Sequence, residues 1–213
     1  MEKLFNKEVS EQIKSILDGM IDPITIKLFV DGDCDTCKET KQLLKETSEL
    51  SDKITLITTE LNDAGDDLVT YNIEMTPSFV FLDKDLNYRG VKFNGIPAGH
   101  EINSFISAIM EMSGVSFQLS DEVLSRIAKI EKPVDIKVFV TLSCPHCPGA
   151  VQTAHRIAML NSHVKGQMIE AQTFHDLSSK FNVSGVPKII INDKLELLGN
   201  QPIEEFLKKI ETL

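Results

Sequence analysis

The sequence predicts an α/β protein of two tandem units, each a mixed central β-sheet flanked by helices. Three observations predict it. Displacing the 213-residue chain by 110 positions lays Cys34 on Cys144, Cys37 on Cys147 and Pro77 on Pro187. A self-match of domain-sized period marks duplication of a whole unit, not a solenoid. The flanks follow: Ile26-Lys27-Leu28-Phe29-Val30 matches Ile136-Lys137-Val138-Phe139-Val140 with one Leu/Val exchange, and Tyr71-Asn72-Ile73-Glu74-Met75-Thr76-Pro77 loosely matches Phe181-Asn182-Val183-Ser184-Gly185-Val186-Pro187. Within each half, short apolar runs alternate with stretches of helical spacing and end in a hairpin, which implies a mixed sheet covered on both faces.

The elements follow in order. In the first unit, residues 1–115, Val9, Ile13, Ile16, Leu17 and Met20 fall on one helical face over residues 8–20, and Ile21-Asp22-Pro23 breaks that helix. Residues 24–30 form a buried strand. A helix over residues 36–50 turns Leu43, Leu44 and Leu50 inward, and residues 54–59 form the next strand. A helix at residues 64–71 leads to Thr76-Pro77; residues 78–82 and 88–93 make a hairpin across Asp83-Lys84-Asp85-Leu86-Asn87, and a helix over residues 99–112 closes the unit. The second unit, residues 116–213, repeats this with helices at 121–130, 144–160, 175–181 and 202–210 and strands at 135–140, 166–170, 188–192 and 195–199. The boundary at Ser113-Gly114-Val115-Ser116 is short, so the units are expected to pack on each other.

Hydrophobic residues make up 42% of the chain, enough for a core; with no tryptophan and two tyrosines, its aromatic part must be phenylalanine. The formal net charge of −10 repels a phosphate backbone and argues against nucleic-acid binding. No run of about 18 apolar residues is present to span a membrane. The first residues, Met1-Glu2-Lys3-Leu4-Phe5-Asn6-Lys7-Glu8, lack an apolar secretory core, so a cytoplasmic location is expected.

All four cysteines lie in two close pairs, which points to redox chemistry or metal. Each pair sits where a strand gives way to a helix. The earlier cysteine then faces the unpaired N–H groups and positive end of the helix dipole, which favour the nucleophilic thiolate. The later one lies a turn along the same face, within reach of a disulfide. In Ser143-Cys144-Pro145-His146-Cys147-Pro148, Pro145 is expected at the first helical position and Pro148 within the first turn. Protonated His146 would stabilise the Cys144 thiolate. In Asp33-Cys34-Asp35-Thr36-Cys37, Asp33 and Asp35 would disfavour a further negative charge, although Asp35 also suits a helix start. On these grounds Cys144/Cys147 is expected to be the more oxidising pair.

Cys-x-x-Cys after a strand, with Thr76-Pro77 and Val186-Pro187 ahead of a later strand, resembles the thioredoxin superfamily. The doubled form, with Ser143-Cys144-Pro145-His146-Cys147-Pro148-Gly149-Ala150-Val151 and Val183-Ser184-Gly185-Val186-Pro187-Lys188, is similar to the glutaredoxin-like protein disulfide oxidoreductases. It departs from them in having His146 where tyrosine is common, and an acidic Asp35-Thr36 spacer in the first pair. The resemblance implies two thioredoxin-like units sharing one extended sheet. It also implies cis prolines whose loops, with Thr76 and Val186, offer a backbone edge to a substrate peptide. The implied activity is dithiol–disulfide exchange with proteins: Cys34 and Cys144 attack, and Cys37 and Cys147 resolve. No organic cofactor is implied beyond the redox-active disulfides, and the resemblance suggests a thioredoxin-reductase-type flavoprotein as the source of electrons.

Rival readings are an electron relay to a peroxiredoxin, a non-catalytic binding or chaperone module with inert cysteines, and, less favoured, a glutathione-dependent glutaredoxin. Structural zinc fits poorly, because 106 residues separate Cys37 from Cys144 where a four-thiolate site uses about 15–20. His100, His155, His163 and His175 read as surface or capping residues, and the scattered methionines as core filler.

Overall fold

The computed structural model describes residues 3–32 and 34–213. Strands β1 (Ile24–Val30), β2 (Ile54–Glu60), β3 (Ser78–Leu82) and β4 (Tyr88–Asn94) form half of a single sheet; β5 (Val134–Val140), β6 (Val164–Glu170), β7 (Lys188–Ile191) and β8 (Leu195–Leu198) form the rest. The order is β2-β1-β3-β4-β6-β5-β7-β8. β1 runs parallel to β2 and antiparallel to β3, which pairs antiparallel with β4; β6, β5, β7 and β8 repeat that pattern. The halves join through β4 and β6, parallel from Val91↔Gly166 to Asn94↔Ile169. β4 therefore points the same way as β1 and β5. The second half repeats the first by translation along the sheet, and the C-terminal ends of β1 and β5 open at one common end of the strands.

The helices are α1 (Lys7–Leu17), α2 (Asp35–Ser48), α3 (Asp67–Thr70), α4 (Ile102–Met112), α5 (Asp121–Ala128), α6 (Cys147–Leu160), α7 (His175–Lys180) and α8 (Ile203–Ile210), with 3-10 turns at Leu61–Asp63 and Gly99–Glu101. Asn6 caps α1 through the N–H of Val9, and Ser120 caps α5 through that of Val123. The helix expected over residues 64–71 is only the four residues of α3, because Gly65 takes φ +52° and interrupts the turn ahead of it.

Strand side chains alternate between faces. Ile26, Leu28, Val30, Phe79, Phe81, Phe93, Ile136 and Val138 belong to one apolar core that is continuous through both halves under α1, α2, α4, α5, α6 and α8. The opposite residues build two smaller, separate clusters: Phe29, Val80 and Leu82 with Tyr71 of the segment after α3, and Phe139, Ile169 and Ile190 beneath Phe174, Leu177 and Phe181 around α7. Phenylalanine does supply the aromatic centre. Phe79 and Phe93 stack with centroids 5.0 Å apart, and Phe105 of α4 meets both edge-on; each such fully buried ring contributes roughly 1.5–3 kcal/mol.

The seam between halves is extensive. α4 packs on α6, where Glu111 accepts from Arg156 at 2.6 Å and Ser107 accepts from Gln152 at 3.0 Å. The boundary segment is pinned: the Ser113 hydroxyl donates to Met110 O, and Ser113 receives the N–H groups of Ile21 and Asp22. The reading of His155 as a surface or capping residue is corrected here. It is 1% exposed on the inner face of α6, with Nε2 3.2 Å from Lys92 O and its ring against Phe93. Burial pushes its imidazole down to about 4, so it is a neutral seam residue. His100, His163 and His175 are exposed. No helix of the described residues is long and apolar enough to cross a membrane.

Candidate active site

Each cysteine pair follows the C-terminal end of a strand, Cys34/Cys37 after β1 and Cys144/Cys147 after β5. Both are closed as disulfides, with Cα–Cα separations of 5.2 and 5.5 Å. Four inter-strand steps separate β1 from β5, about 19 Å at ~4.8 Å per step. The pairs are therefore separate centres on one rim of the molecule, too far apart to exchange with each other directly. No group of three or more His, Cys, Asp or Glu among the described residues is placed to hold a metal ion. Cys34 and Cys144 are the more accessible members; Cys37 and Cys147 are enclosed.

The two pairs differ in how their helix begins. Cys34 is the N-cap of α2: its sulfur accepts the Cys37 N–H at 3.0 Å, and its carbonyl accepts the Lys38 N–H at 3.1 Å. Pro148 occupies the position corresponding to Lys38. It has no N–H to return to the Cys144 carbonyl, so the α-helical ring there cannot close. α6 accordingly starts at Cys147 with His146 as N-cap and Pro148 near its start. This corrects the expectation of a helix from residue 144 with Pro145 at its first position: Pro145 lies in the turn ahead of the helix. Cys144 instead places its sulfur 3.8 Å from Val186 O.

The residues expected to tune the sulfurs are solvent-facing. The Asp35 side chain is 97% exposed and lies 3.7 Å from Lys38, and His146 is exposed. Asp33, expected to act on Cys34, lies outside the described residues.

Both Thr76–Pro77 and Val186–Pro187 are cis peptides. Pro77 O accepts from Gly95 N at 2.8 Å and Pro187 O from Gly199 N at 2.9 Å, which ties each loop to the residue just after β4 or β8. The structure brings Val186 to Cys144. Among the described residues, no hydrogen bond joins Thr76 or Pro77 to a sulfur of the first pair.

One buried carboxyl next to the second pair's helix was not legible in the sequence. Glu101 is completely buried in the 3-10 turn that leads into α4. That turn packs against α6, and the His100 N–H donates to Leu142 O two residues before Cys144, at 2.9 Å. Gly99, at φ +58°, is required there because any Cβ would run into the Leu142 carbonyl. Burial pushes the Glu101 carboxyl up to about 7, against the opposing hydrogen bond from the Ser104 hydroxyl; Oε1 has no partner. A lone glutamate 43 residues before Cys144, in the other half of the chain, carries no local signal.

The profile of the family described as "Thioredoxin domain" matches residues 134–212. The chain is 30% identical over 209 residues to the alkyl hydroperoxide reductase protein AhpF of Pseudomonas aeruginosa, covering 98% of this chain and 38% of that protein. It is 28% identical over 207 residues to the Staphylococcus aureus protein of the same name, again covering 38% of it. The chain thus spans about two-fifths of the length of these relatives. Among solved structures it superposes on AhpF of Enterococcus faecalis with a TM-score of 0.92 and 30% identity, covering 97% of this chain and 99% of that one. A protein disulfide oxidoreductase from Aeropyrum pernix superposes with a TM-score of 0.90 and 28% identity, covering 97% and 92%. A tandem sheet with a Cys-x-x-Cys disulfide and a cis-proline loop in each half, and these relatives along its whole length, place the chain in the thioredoxin superfamily, among the two-unit proteins with paired redox disulfides.

Proposed function

We propose that the chain is a protein thiol–disulfide oxidoreductase whose two units, residues 1–115 and 116–213, each carry one exchange site. The single observation that carries this is the pair of closed Cys-x-x-Cys disulfides, in each of which the first cysteine is less deeply buried than the second. In the reducing direction the Cys144 thiolate attacks one sulfur of a client disulfide. A new S–S bond forms, the client bond breaks, and the departing sulfur takes a proton from the medium. Cys147 then gives up its proton and attacks Cys144; the mixed disulfide breaks and the client leaves as a dithiol, two electrons richer. Cys34 and Cys37 perform the same steps at the first site, and both run backwards to insert disulfides.

Glu101 fits the role of proton acceptor for Cys147. It is buried, comes from a turn packed on α6, and has an affinity for protons balanced near neutrality. The first unit would then complete the site of the second. The cis-proline loops, with Thr76 and Val186, offer the client a backbone edge.

Electrons come, in this reading, from a thioredoxin-reductase-type flavoprotein. A second reading, relay of those electrons to a peroxiredoxin, is favoured by the long relatives named as alkyl hydroperoxide reductase proteins. We place the exchange in the cytoplasm, because all four cysteines are spent on close pairs and none on a long-range structural disulfide. Insulin reduction tested beside peroxide turnover by a coupled peroxiredoxin separates the two readings. Efficient insulin reduction supports the general oxidoreductase, and activity confined to the peroxidase supports the relay. Full function in a chain with Cys34→Ser and Cys144→Ser would remove both.

A further inference from the structure

The translational repeat gives the two exchange sites different surroundings. Beside the first cis-proline loop lies a groove of about 530 Å³ built by both halves: Glu74 and Met75, immediately before the Thr76–Pro77 bond, form one wall, and Thr173, Phe174, Asp176 and Leu177 at the start of α7 form the other. Among the described residues the second loop has no equivalent neighbour, since β8 is the edge strand and a Cβ added at Gly185 would meet nothing within 4 Å.

Both walls are fixed. The Ser78 hydroxyl lies 2.5 Å from Met75 O and 2.7 Å from Asn94 Oδ1, and shares its one proton between them. Asn94 Nδ2 donates across the seam to Gln167 Oε1 and Met168 O, each at 3.0 Å. The second unit therefore anchors the first unit's wall. On the other side, the enclosed Glu170 carboxylate accepts the Thr173 N–H at 2.6 Å and the Thr173 hydroxyl at 2.7 Å, which sets the turn that presents Phe174. Gly95, at φ +94°, follows Asn94 so closely against this turn that a Cβ would strike Glu170.

We propose that this groove is a subsite for the client polypeptide at the first exchange site. It takes an extended segment next to the client's cysteine and seats one large apolar side chain against Met75, Phe174 and Leu177. The inference rests on the oxidoreductase reading above and adds to it which site holds the longer stretch of client. The argument is continuity. Met75 is one residue from the backbone edge at Thr76, so a chain paired on that edge runs on into the groove within two or three residues at ~3.3 Å each. Met75, Phe174 and Leu177 are half-buried, with apolar surface left open to the groove.

The test uses the full chain with Cys144→Ser and Cys147→Ser, reduced and freed of reductant, so that only the first site reacts. Its second-order rate constants are measured with dithiodipyridine and with disulfide-linked peptides carrying phenylalanine or alanine two residues to either side of cysteine. Phenylalanine peptides are expected to react about tenfold faster than alanine peptides, within the worth of burying one apolar side chain. Leu177→Ala, and His175→Trp, which fills the groove from an exposed position outside the core, should abolish that preference and leave the dithiodipyridine rate unchanged. A chain with Cys34→Ser and Cys37→Ser, reacting through its second site, should show no preference. Equal rates for the two peptides, or an equal preference at both sites, would overturn the subsite and leave the exchange reading standing. Failure of the first site to react with any of these disulfides would overturn the reading beneath it.

Discussion

Replacing Glu101 by glutamine tests a buried carboxyl with one unpartnered oxygen. Burial moves its carboxyl from an ordinary 4.5 to about 7. Between those values the folded chain keeps a proton that the unfolded chain has released, so stability falls as pH rises from 4.5 to 7, and the loss persists at higher pH. A displacement of that size is worth roughly 3 kcal/mol. A buried glutamine amide brings its own cost, but one that does not change with pH. The informative quantity is therefore the difference between two pH values. Urea unfolding followed by circular dichroism, at pH 4 and pH 8.5, should show the Glu101→Gln effect to be more favourable by up to roughly 3 kcal/mol at the higher pH. The same variant should slow resolution of the mixed disulfide at Cys144 and leave the first site unaffected. An effect on stability equal at both pH values would refute the reasoning, since it would mean that the carboxyl titrates alike in the folded and unfolded chain.

Four further predictions rest on the contacts at the caps, the seam and the N-terminal segment. The first pair should be the more oxidising, reversing the order expected from the spacer residues: an N–H bond to a thiolate is worth about 1.5–3 kcal/mol, or about 30–60 mV, whereas the solvent-facing Asp35 and His146 side chains act through water and offset less. Pro148→Ala should restore the bond to the Cys144 carbonyl, lengthen α6 toward Cys144 and raise the second pair's potential by about 30 mV; redox titration against glutathione reads both, and an unmoved potential would sink the cap argument. Asn94→Leu should cost roughly 2–3 kcal/mol in denaturant unfolding, because it leaves Gln167 Oε1 and Met168 O without their Asn94 donors at the buried seam; a neutral substitution would show that the seam does not depend on them. Glu46→Gln should loosen the N-terminal segment. The Glu46 carboxylate accepts the N–H groups of Leu4 and Phe5, and these bonds, with that from Gln42, outweigh the upward push of burial and hold its carboxyl below the ordinary value. Its contribution is therefore present above pH 4.5 and lost as pH falls through the lowered value. Amide exchange at Leu4 and Phe5 should accelerate at neutral pH, and the difference from the parent chain should shrink as pH falls through the lowered value.

Much of this architecture is legible in the amino-acid order, because the repeat exposes which positions matter twice. Tyr71, Asn72 and Ile73 return as Phe181, Asn182 and Val183 for a physical reason. The aromatic ring and the branched residue pack into the two small clusters under the sheet. Both asparagines take φ +50°, where a helix ends and few other residues are tolerated. Each then offers its carbonyl to a lysine ammonium, Lys92 in one half and Lys188 in the other, delivered from different strands. That second feature escapes any search by displacement.

The two cysteine pairs and both prolines are equally plain. The helix start at the second pair is not, because two prolines so close admit more than one placement, and only the absent Pro148 N–H decides between them. Glu101 and His155 were hidden for a common reason. Each is a polar residue on an otherwise apolar face, and burial by the other half of the chain is what changes its chemistry.

The central claim is that each pair captures a client sulfur through its first cysteine. Cys37→Ser and Cys147→Ser, made singly with the other pair also removed, leave one attacking cysteine without its resolving partner. Incubated with a disulfide-bonded protein such as insulin, each variant should accumulate a mixed disulfide at Cys34 or Cys144, seen as a mass increase that dithiothreitol reverses. Variants that form no such adduct, with their remaining cysteine free and reactive toward small thiol reagents, would contradict it.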